Sequence, residues 1–130
     1  MVTAFVVVFV LALFLLAGLV LDGGLALSAK VRAIDEAQAA ARAGAQAIDL
    51  DTFYSSGAVV LDPAAATQAA ESYLAATGDP GTVTITGNEV DVSVTVTQPM
   101  QILGLAGIGH LSLTGSGSAN AVTGVEGPGQ

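Results

Sequence analysis

The residues of this chain that could do chemistry are one histidine, His110, and a scattering of carboxylates. A lone imidazole cannot build a metal site, because such sites need three or four protein ligands. Asp35 and Glu36 are adjacent in a helix-forming stretch, so their side chains diverge by about 100° around the helix axis. We therefore interpret this pair as part of a solvated helix face, and His110 as a residue at a strand edge.

Two other groups have only a superficial likeness to ligand sites. Asp49 and Asp51 with Asp62 offer oxygen atoms to calcium, but the loop lacks the ligand spacing of known calcium sites. The stretch GLAGIG, 104–109, is glycine-rich like a phosphate loop, but it fits neither GxGxxG nor GxxxxGK. The inventory of catalytic groups is therefore too thin for an enzyme, and we predict neither metal nor cofactor.

Composition narrows the class of protein further. The chain has 130 residues, three basic against eleven acidic side chains, and a formal net charge of −8. Binding to nucleic acid requires lysine and arginine to neutralise phosphates, so this charge argues against it. The chain has no cysteine, which excludes a disulfide framework and a thiolate metal site.

The first 21 residues carry no charged side chain. As a helix they would be about 31 Å long, which matches the hydrocarbon core of a bilayer. We predict a transmembrane helix over 1–21. The alternative is a signal peptide cleaved near Ala17 and Gly18, but the run is long for such a segment and has no basic residue before it.

The orientation of this helix does not follow clearly from the charges. Lys30, Arg32 and Arg42 all follow the apolar run, and the positive-inside rule would place the C-terminus in the cytoplasm. They lie well beyond the end of the run, however, and acidic residues are mixed among them. The rule is therefore weak evidence here.

Asp22, Gly23 and Gly24 directly follow the apolar run. Asp22 either marks the place where lipid ends or is a charge at the bilayer edge that needs a partner when helices pack together. The two glycines cost roughly 1 kcal/mol each relative to alanine in a helix. We predict one rod from about residue 3 to about residue 49, with a soft joint at the two glycines.

The stretch 25–50 is alanine-rich, and its small residues recur at helical spacing. Residues three and four apart share a helix face, so these small side chains form a stripe that another backbone can approach closely. We predict a packing seam, the alternative being a generic alanine-rich helix without a partner. Lys30, Arg32, Glu36 and Arg42 lie mostly off the stripe and are expected to be solvated. The stripe consists of Ala26, Ala29, Ala33, Ala37, Ala40 or Ala41, and Gly44.

The remainder reads as a small α/β head over 51–122, preceded by the rod continuation at 22–50 and followed by a disordered tail at 123–130. Asp62 and Pro63 are typical of a helix start and predict a second helix over 64–76. We expect its buried face to include Ala69, Tyr73, Leu74 and Ala76.

Strict alternation of apolar and polar residues predicts a β-hairpin on either side of Gly87 and Asn88. A third strand, HLSLTGSGSANAV, has leucine, glycine and alanine on one face. That face allows the alanine-rich rod to come unusually close. The predicted fold class is therefore α+β, a long N-terminal helix packed on a small antiparallel sheet with a second short helix.

The N-terminal part of the chain resembles the TadE/TadG-like proteins of bacterial tight-adherence (Tad) pilus systems. The resemblance covers about 50 residues: the apolar span, then Asp22 with Gly23, then the small-residue helix ending in ARAGA at 41–45. It implies a pilin-like or pseudopilin-like envelope protein whose helix resides in the membrane before assembly. Relatives in pilus systems are cut by a prepilin peptidase just before the apolar segment, which makes that peptidase a candidate partner. The glutamate usual near the start of type IV pilins is absent, and Phe5 stands there.

The leading hypothesis is therefore a structural subunit of a Tad-type pilus or of its assembly base, self-associating through its N-terminal rod. The head would lie outside the cell, at the membrane or on the pilus. The alternative is a monomeric membrane-anchored envelope module that binds a partner protein and never polymerises. The residues expected to pack in assembly are Phe5, Phe9, Phe14, Asp22, Gly23, Gly24, Ala33, Ala37, Ala41 and Gly44.

Overall fold

A computed structural model describes residues 1–122, so the predicted disordered tail lies outside the described residues. Helix α1, Val2–Ala45, is a single helix of 44 residues and about 66 Å. It is built from alanine, leucine and valine, and no proline interrupts it. It passes through Gly23 and Gly24 without a break, and it ends four residues earlier than predicted.

Two shorter helices follow α1. Helix α2, Leu50–Ser56, begins at Asp49, whose side chain accepts a hydrogen bond from the Thr52 amide. Helix α3, Pro63–Thr77, begins at Asp62 in the same way, as the sequence predicted. Helix α2 was not predicted from the sequence, although aspartate before a helical turn is a common N-cap.

Three antiparallel strands form one sheet in the order β1-β2-β3: Gly81–Thr86, Glu89–Pro99 and His110–Asn120. The predicted turn joins β1 to β2, with Gly87 at a positive φ of 59°. A longer connection between β2 and β3 contains a short 3-10 helix, Leu103–Ala106. The predicted α+β fold, with a long apolar helix on a small antiparallel sheet, is confirmed.

The core lies between the sheet and the C-terminal part of α1. Four alternate valines of β2 are buried there, while the residues between them face the other side of the sheet. Burying such side chains contributes roughly 1.5–3 kcal/mol each. The α1 side of the core consists almost entirely of alanine: Ala29, Ala33, Ala37, Ala40 and Ala41.

Strand β3 lies against the backbone of α1. A Cβ atom built on Gly115 would stand 2.6 Å from the carbonyl carbon of Ala33, and one on Gly117 would stand 2.6 Å from the Gln38 amide nitrogen. Neither position can hold a larger residue without moving the helix. The glycine face of the third strand therefore packs on the alanine-rich rod, as predicted.

Two surfaces differ from those predicted from the sequence. In α3 the buried residues are Ala66, Ala70 and Leu74, so of the expected set only Leu74 is buried. The part of this face that approaches α1 at Gly44 consists of the small residues Ala66 and Ala70. The side chain of Glu36, expected to be solvated, is only 14% exposed because the turn after α3 brings Asp79 close to it.

Candidate functional site

The carboxylate of Asp22 fastens the head to the long helix. It is 1% exposed and accepts hydrogen bonds from three successive backbone amides, of Gln101 at 2.9 Å, Ile102 at 3.1 Å and Leu103 at 2.6 Å. Hydrogen bonds to a charged acceptor are worth more than neutral ones, about 1.5–3 kcal/mol each. We call this arrangement the Asp22 latch.

Gly18 provides the room that the latch needs. It lies four residues before Asp22, on the same face of α1. A Cβ atom built on Gly18 would stand 2.9 Å from the Cβ of Ile102, so the glycine is covered directly by that side chain. The contact surface of the head therefore extends into the apolar run that the sequence predicts to lie in the membrane.

The latch lies directly before the glycine-rich stretch at 104–109. Successive amides at the start of the 3-10 helix converge on one anion, as they do in anion-binding nests. That anion is a carboxylate of the same chain. The three amides that bind it precede the glycine-rich stretch, so the likeness of 104–109 to a phosphate loop plays no part in this contact.

The apolar segment before Gly18 extends beyond the head. Every residue from 1 to 17 is exposed, and within 1–21 only Gly18 is buried. Phe5, Phe9 and Phe14 are 70%, 55% and 68% exposed, and the rings of Phe5 and Phe9 stack with centroids 6.1 Å apart. In the part of the chain that the structure describes, α1 is the one helix long and apolar enough to cross a membrane.

The small-residue stripe is occupied by the chain's own head. Ala33, Ala37 and Ala41 are fully buried, and a Cβ atom built on Gly44 would stand 3.0 Å from the carbonyl oxygen of Ala66. These four residues were expected to pack between copies, but they are covered by the head of the same chain. Gly23 and Gly24 are exposed, and a Cβ atom built on either would meet nothing within 4 Å.

Polar side chains of α1 cover the outer edge of β3. Lys30 donates to the carbonyl oxygen of Thr114, and Gln38 donates to that of Ser118 at 2.8 Å. An uncovered strand edge is a template for pairing with another chain. This edge is instead partly satisfied from within the chain.

An ion-pair cluster connects α1 to the turn between α3 and β1. Arg32 Nε lies 3.2 Å from Glu36 Oε1, and Arg32 Nη2 lies 2.9 Å from Asp79 Oδ2. Burial raises the pKa of the Glu36 carboxyl above its usual value; Asp79 adds to this, and Arg32 opposes it. One Glu36 oxygen, Oε2, is buried without a hydrogen-bond partner.

The other candidate chemical groups have structural roles or face solvent. Asp49 and Asp62 cap two different helices, so they do not converge on a cation. His110 is exposed at the start of β3. Within residues 1–122 no group of three histidine or carboxylate side chains is placed to hold a metal.

Sequence reasoning identified Asp22 but missed its partners. Neither Gly18 nor the amides of 101–103 carried a signal, because backbone amides have no sequence signature. It also missed Asn88, whose side chain accepts from the Leu61 amide at 3.0 Å and donates to the Val59 carbonyl at 2.8 Å. The sequence showed Asn88 as a turn residue; its second role depends on a loop 27 positions away.

Comparison with known proteins bears on the long helix alone. No curated protein matches this chain, and no solved structure matches it. Residues 1–47 match a family model described as "Tad: Putative Flp pilus-assembly TadE/G-like". The match ends just after α1, so it contains Asp22 and the small-residue stripe but none of the strands. Over its N-terminal helix the chain is thus similar to the TadE/G-like proteins of Flp pilus assembly.

Proposed function

We propose that this protein is a structural, pilin-like subunit of a Tad-type pilus or of its assembly machinery. One observation carries the proposal. The TadE/G-like helix presents a free apolar segment at 1–17, while its C-terminal half is covered by the head. A segment exposed on all sides must be covered by lipid, by other helices, or by each in turn.

The assembly step consists of an exchange of apolar surroundings. A helix that leaves lipid for a bundle of identical helices loses one apolar contact surface and gains another, so its extraction costs little. Phe5, Phe9 and Phe14 are the large exposed side chains that would interlock between copies. The stripe from Ala33 to Gly44 fixes the head on the helix, so contacts between copies are proposed for the first twenty residues.

The head is proposed to lie outside the cytoplasm and to present the polar face of its sheet. That face carries hydroxyl groups from all three strands and is shallow and open. A prepilin peptidase is proposed to process the chain on the N-terminal side of the apolar segment, as the family resemblance implies.

Shearing of cells tests the proposal. We expect the chain in long sheared fibres, and we expect Phe9→Ala to lower that fraction at least tenfold while membrane insertion is unchanged. Leu27→Ala, at an exposed apolar position beyond the span, is the matched control and should assemble normally. Recovery of the wild type only from detergent-solubilised membranes would support the anchored, non-polymerising module instead.

A further inference from the structure

We propose that the loop at 100–109 lies in the membrane interface and holds the head against the lipid surface. This inference rests on the proposed membrane anchor, and it assigns a lipid-binding role to a part of the head. We call residues 100–109 the interfacial loop.

The position of the loop along α1 is the first support. Its amides bind Asp22, directly after the apolar run, and its Ile102 side chain covers Gly18, inside that run. From Leu21 back to Gly18 the helix rises by about 4.5 Å. If residues 1–21 span the hydrocarbon core, the loop is held at the depth of the headgroups or just below them.

The exposed side chains of the loop are the second support. Leu105 is 90% exposed and Ile108 is 51% exposed, so the head leaves both uncovered. Leu105 belongs to the short 3-10 helix whose first amide, that of Leu103, is bound to Asp22. Apolar side chains that are uncovered at the level of the headgroups lie where an apolar environment is available.

The absence of charged side chains from the interfacial loop indicates how it binds lipid. From 92 to 122 the chain contains no lysine, arginine, aspartate or glutamate. The loop therefore has no cation with which to attract anionic lipid, and its attachment is apolar. Binding should consequently be insensitive to salt and equal in zwitterionic and anionic membranes.

The Asp22 latch provides hydrogen-bond acceptors for backbone amides of the interfacial loop at this depth. Backbone amides that enter the headgroup region lose part of their hydration, which is unfavourable unless they are hydrogen-bonded. Asp22 accepts from three of them, and these amides in turn satisfy a carboxylate at the edge of the lipid. The carboxylate and the three amides are therefore both hydrogen-bonded at a depth where water is scarce.

The absence of cysteine from the chain allows a direct test. Single-cysteine variants Leu105→Cys, Leu11→Cys and Thr84→Cys of the full chain are labelled with an environment-sensitive fluorophore. They are then reconstituted into phosphatidylcholine vesicles that contain lipids spin-labelled at a shallow or a deep position. Position 11 reports on the anchor, and position 84 reports on the exposed polar face of the sheet.

We expect the label at 105 to be quenched at least twofold, more by the shallow than by the deep spin label. The label at 11 should show the reverse order, and the label at 84 should not be quenched. Adding phosphatidylglycerol or 0.5 M salt should leave these values unchanged.

Three results would overturn the inference. If the label at 105 is unquenched while the label at 11 is quenched, the loop does not contact lipid, although the anchor does. A blue-shifted label at 105 without lipid quenching assigns the loop to a protein surface, such as a second copy. An unquenched label at 11 refutes the anchor and the loop together.

A second variant tests the latch itself. Adding Asp22→Asn to the Leu105→Cys chain should reduce the shallow quenching at least twofold, because the amide group of asparagine brings a donor against the three loop amides. Asp35→Asn is the matched control at an exposed helical position. Full quenching in the Asp22→Asn chain would show that the loop reaches lipid without the latch and would overturn that part of the proposal.

Discussion

Asp22 and Leu103 are 81 positions apart in the sequence, yet the Asp22 carboxylate accepts a hydrogen bond of 2.6 Å from the Leu103 amide. The contact joins the residue at the end of the apolar run to the connection between β2 and β3. Since the family match ends at residue 47, Asp22 belongs to the matched region and its partner does not. The latch thus connects the TadE-like helix to a head that the match does not cover.

Replacement of Asp22 should loosen the connection between β2 and β3 without unfolding α1. We expect Asp22→Ala to lower the free energy of unfolding of the head by about 2–3 kcal/mol, because three amides lose a charged acceptor. Hydrogen exchange at 101–103 in detergent micelles should accelerate at least tenfold. Asp35→Ala is the control, with a change within about 0.5 kcal/mol. Unchanged exchange in Asp22→Ala would mean that the amides have another acceptor.

Two glycines of the same helix should respond to alanine in opposite directions. Gly18→Ala places a methyl group against Ile102 and should destabilise the head by about 1–3 kcal/mol. Gly24→Ala meets nothing within 4 Å and should stabilise α1 by up to about 1 kcal/mol. For a head of this size, each kcal/mol corresponds to roughly 4–8 °C in the thermal midpoint. Equal shifts for the two variants would contradict the close contact at Gly18.

The double variant Gly23→Ala with Gly24→Ala tests whether a joint exists. The helix is unbroken through these two positions, so alanine should stabilise it. If the rod must bend or melt on passing from bilayer to filament, the double variant should assemble at least tenfold less well despite its greater stability. Normal filaments from this variant, seen by negative-stain microscopy, would show that the two glycines have no such role.

Local patterns predicted much of the fold. Period-two alternation identified β1 and β2, and the glycine face of β3 predicted the close approach that Gly115 and Gly117 make to α1. These features depend on neighbours in sequence or on steric limits that a residue type imposes by itself. They can be read without knowledge of the tertiary structure.

Apart from helix α2, whose N-cap is local, the missed features depend on a distant partner. The buried face of α3 is set by the shape of α1 at Gly44, which favours Ala66 and Ala70 over the larger Tyr73. The burial of Glu36 depends on a turn 43 positions away, at Asp79. The partner of Asp22 is a set of backbone amides, which any sequence can supply. No periodicity or motif records such relationships.

Substitution of Ala37 should destabilise the head and thereby prevent assembly. Ala37 is fully buried beneath Gly117, so leucine overpacks the contact and should destabilise the head by about 1–3 kcal/mol or more. Ala12→Leu, in the exposed span, is the control and should leave the thermal midpoint of the head unchanged. We expect Ala37→Leu and Ala41→Leu to insert into membranes and to fail in assembly. Intact filaments from both would contradict a requirement for this seam.

The cluster of Arg32, Glu36 and Asp79 should make the stability of the head depend on pH. Burial raises the pKa of Glu36 in the folded state, so the folded head binds this proton more tightly than the unfolded chain does. Its contribution to stability is therefore lost as pH rises from the ordinary glutamate value through the raised folded value. It is regained on acidification across the same window.

Glu36→Gln should remove that dependence. Glutamine keeps the shape but cannot titrate, so the slope of the unfolding free energy against pH should become less negative over this window. Urea unfolding of the full chain in micelles, at intervals of half a pH unit, measures the slope. Glu71→Gln removes an equal charge from an exposed position on α3 and is the matched control. An unchanged slope in Glu36→Gln would contradict the burial of the Glu36 carboxyl. It would mean that Oε2 is hydrogen-bonded or hydrated in the folded head as it is in the unfolded chain.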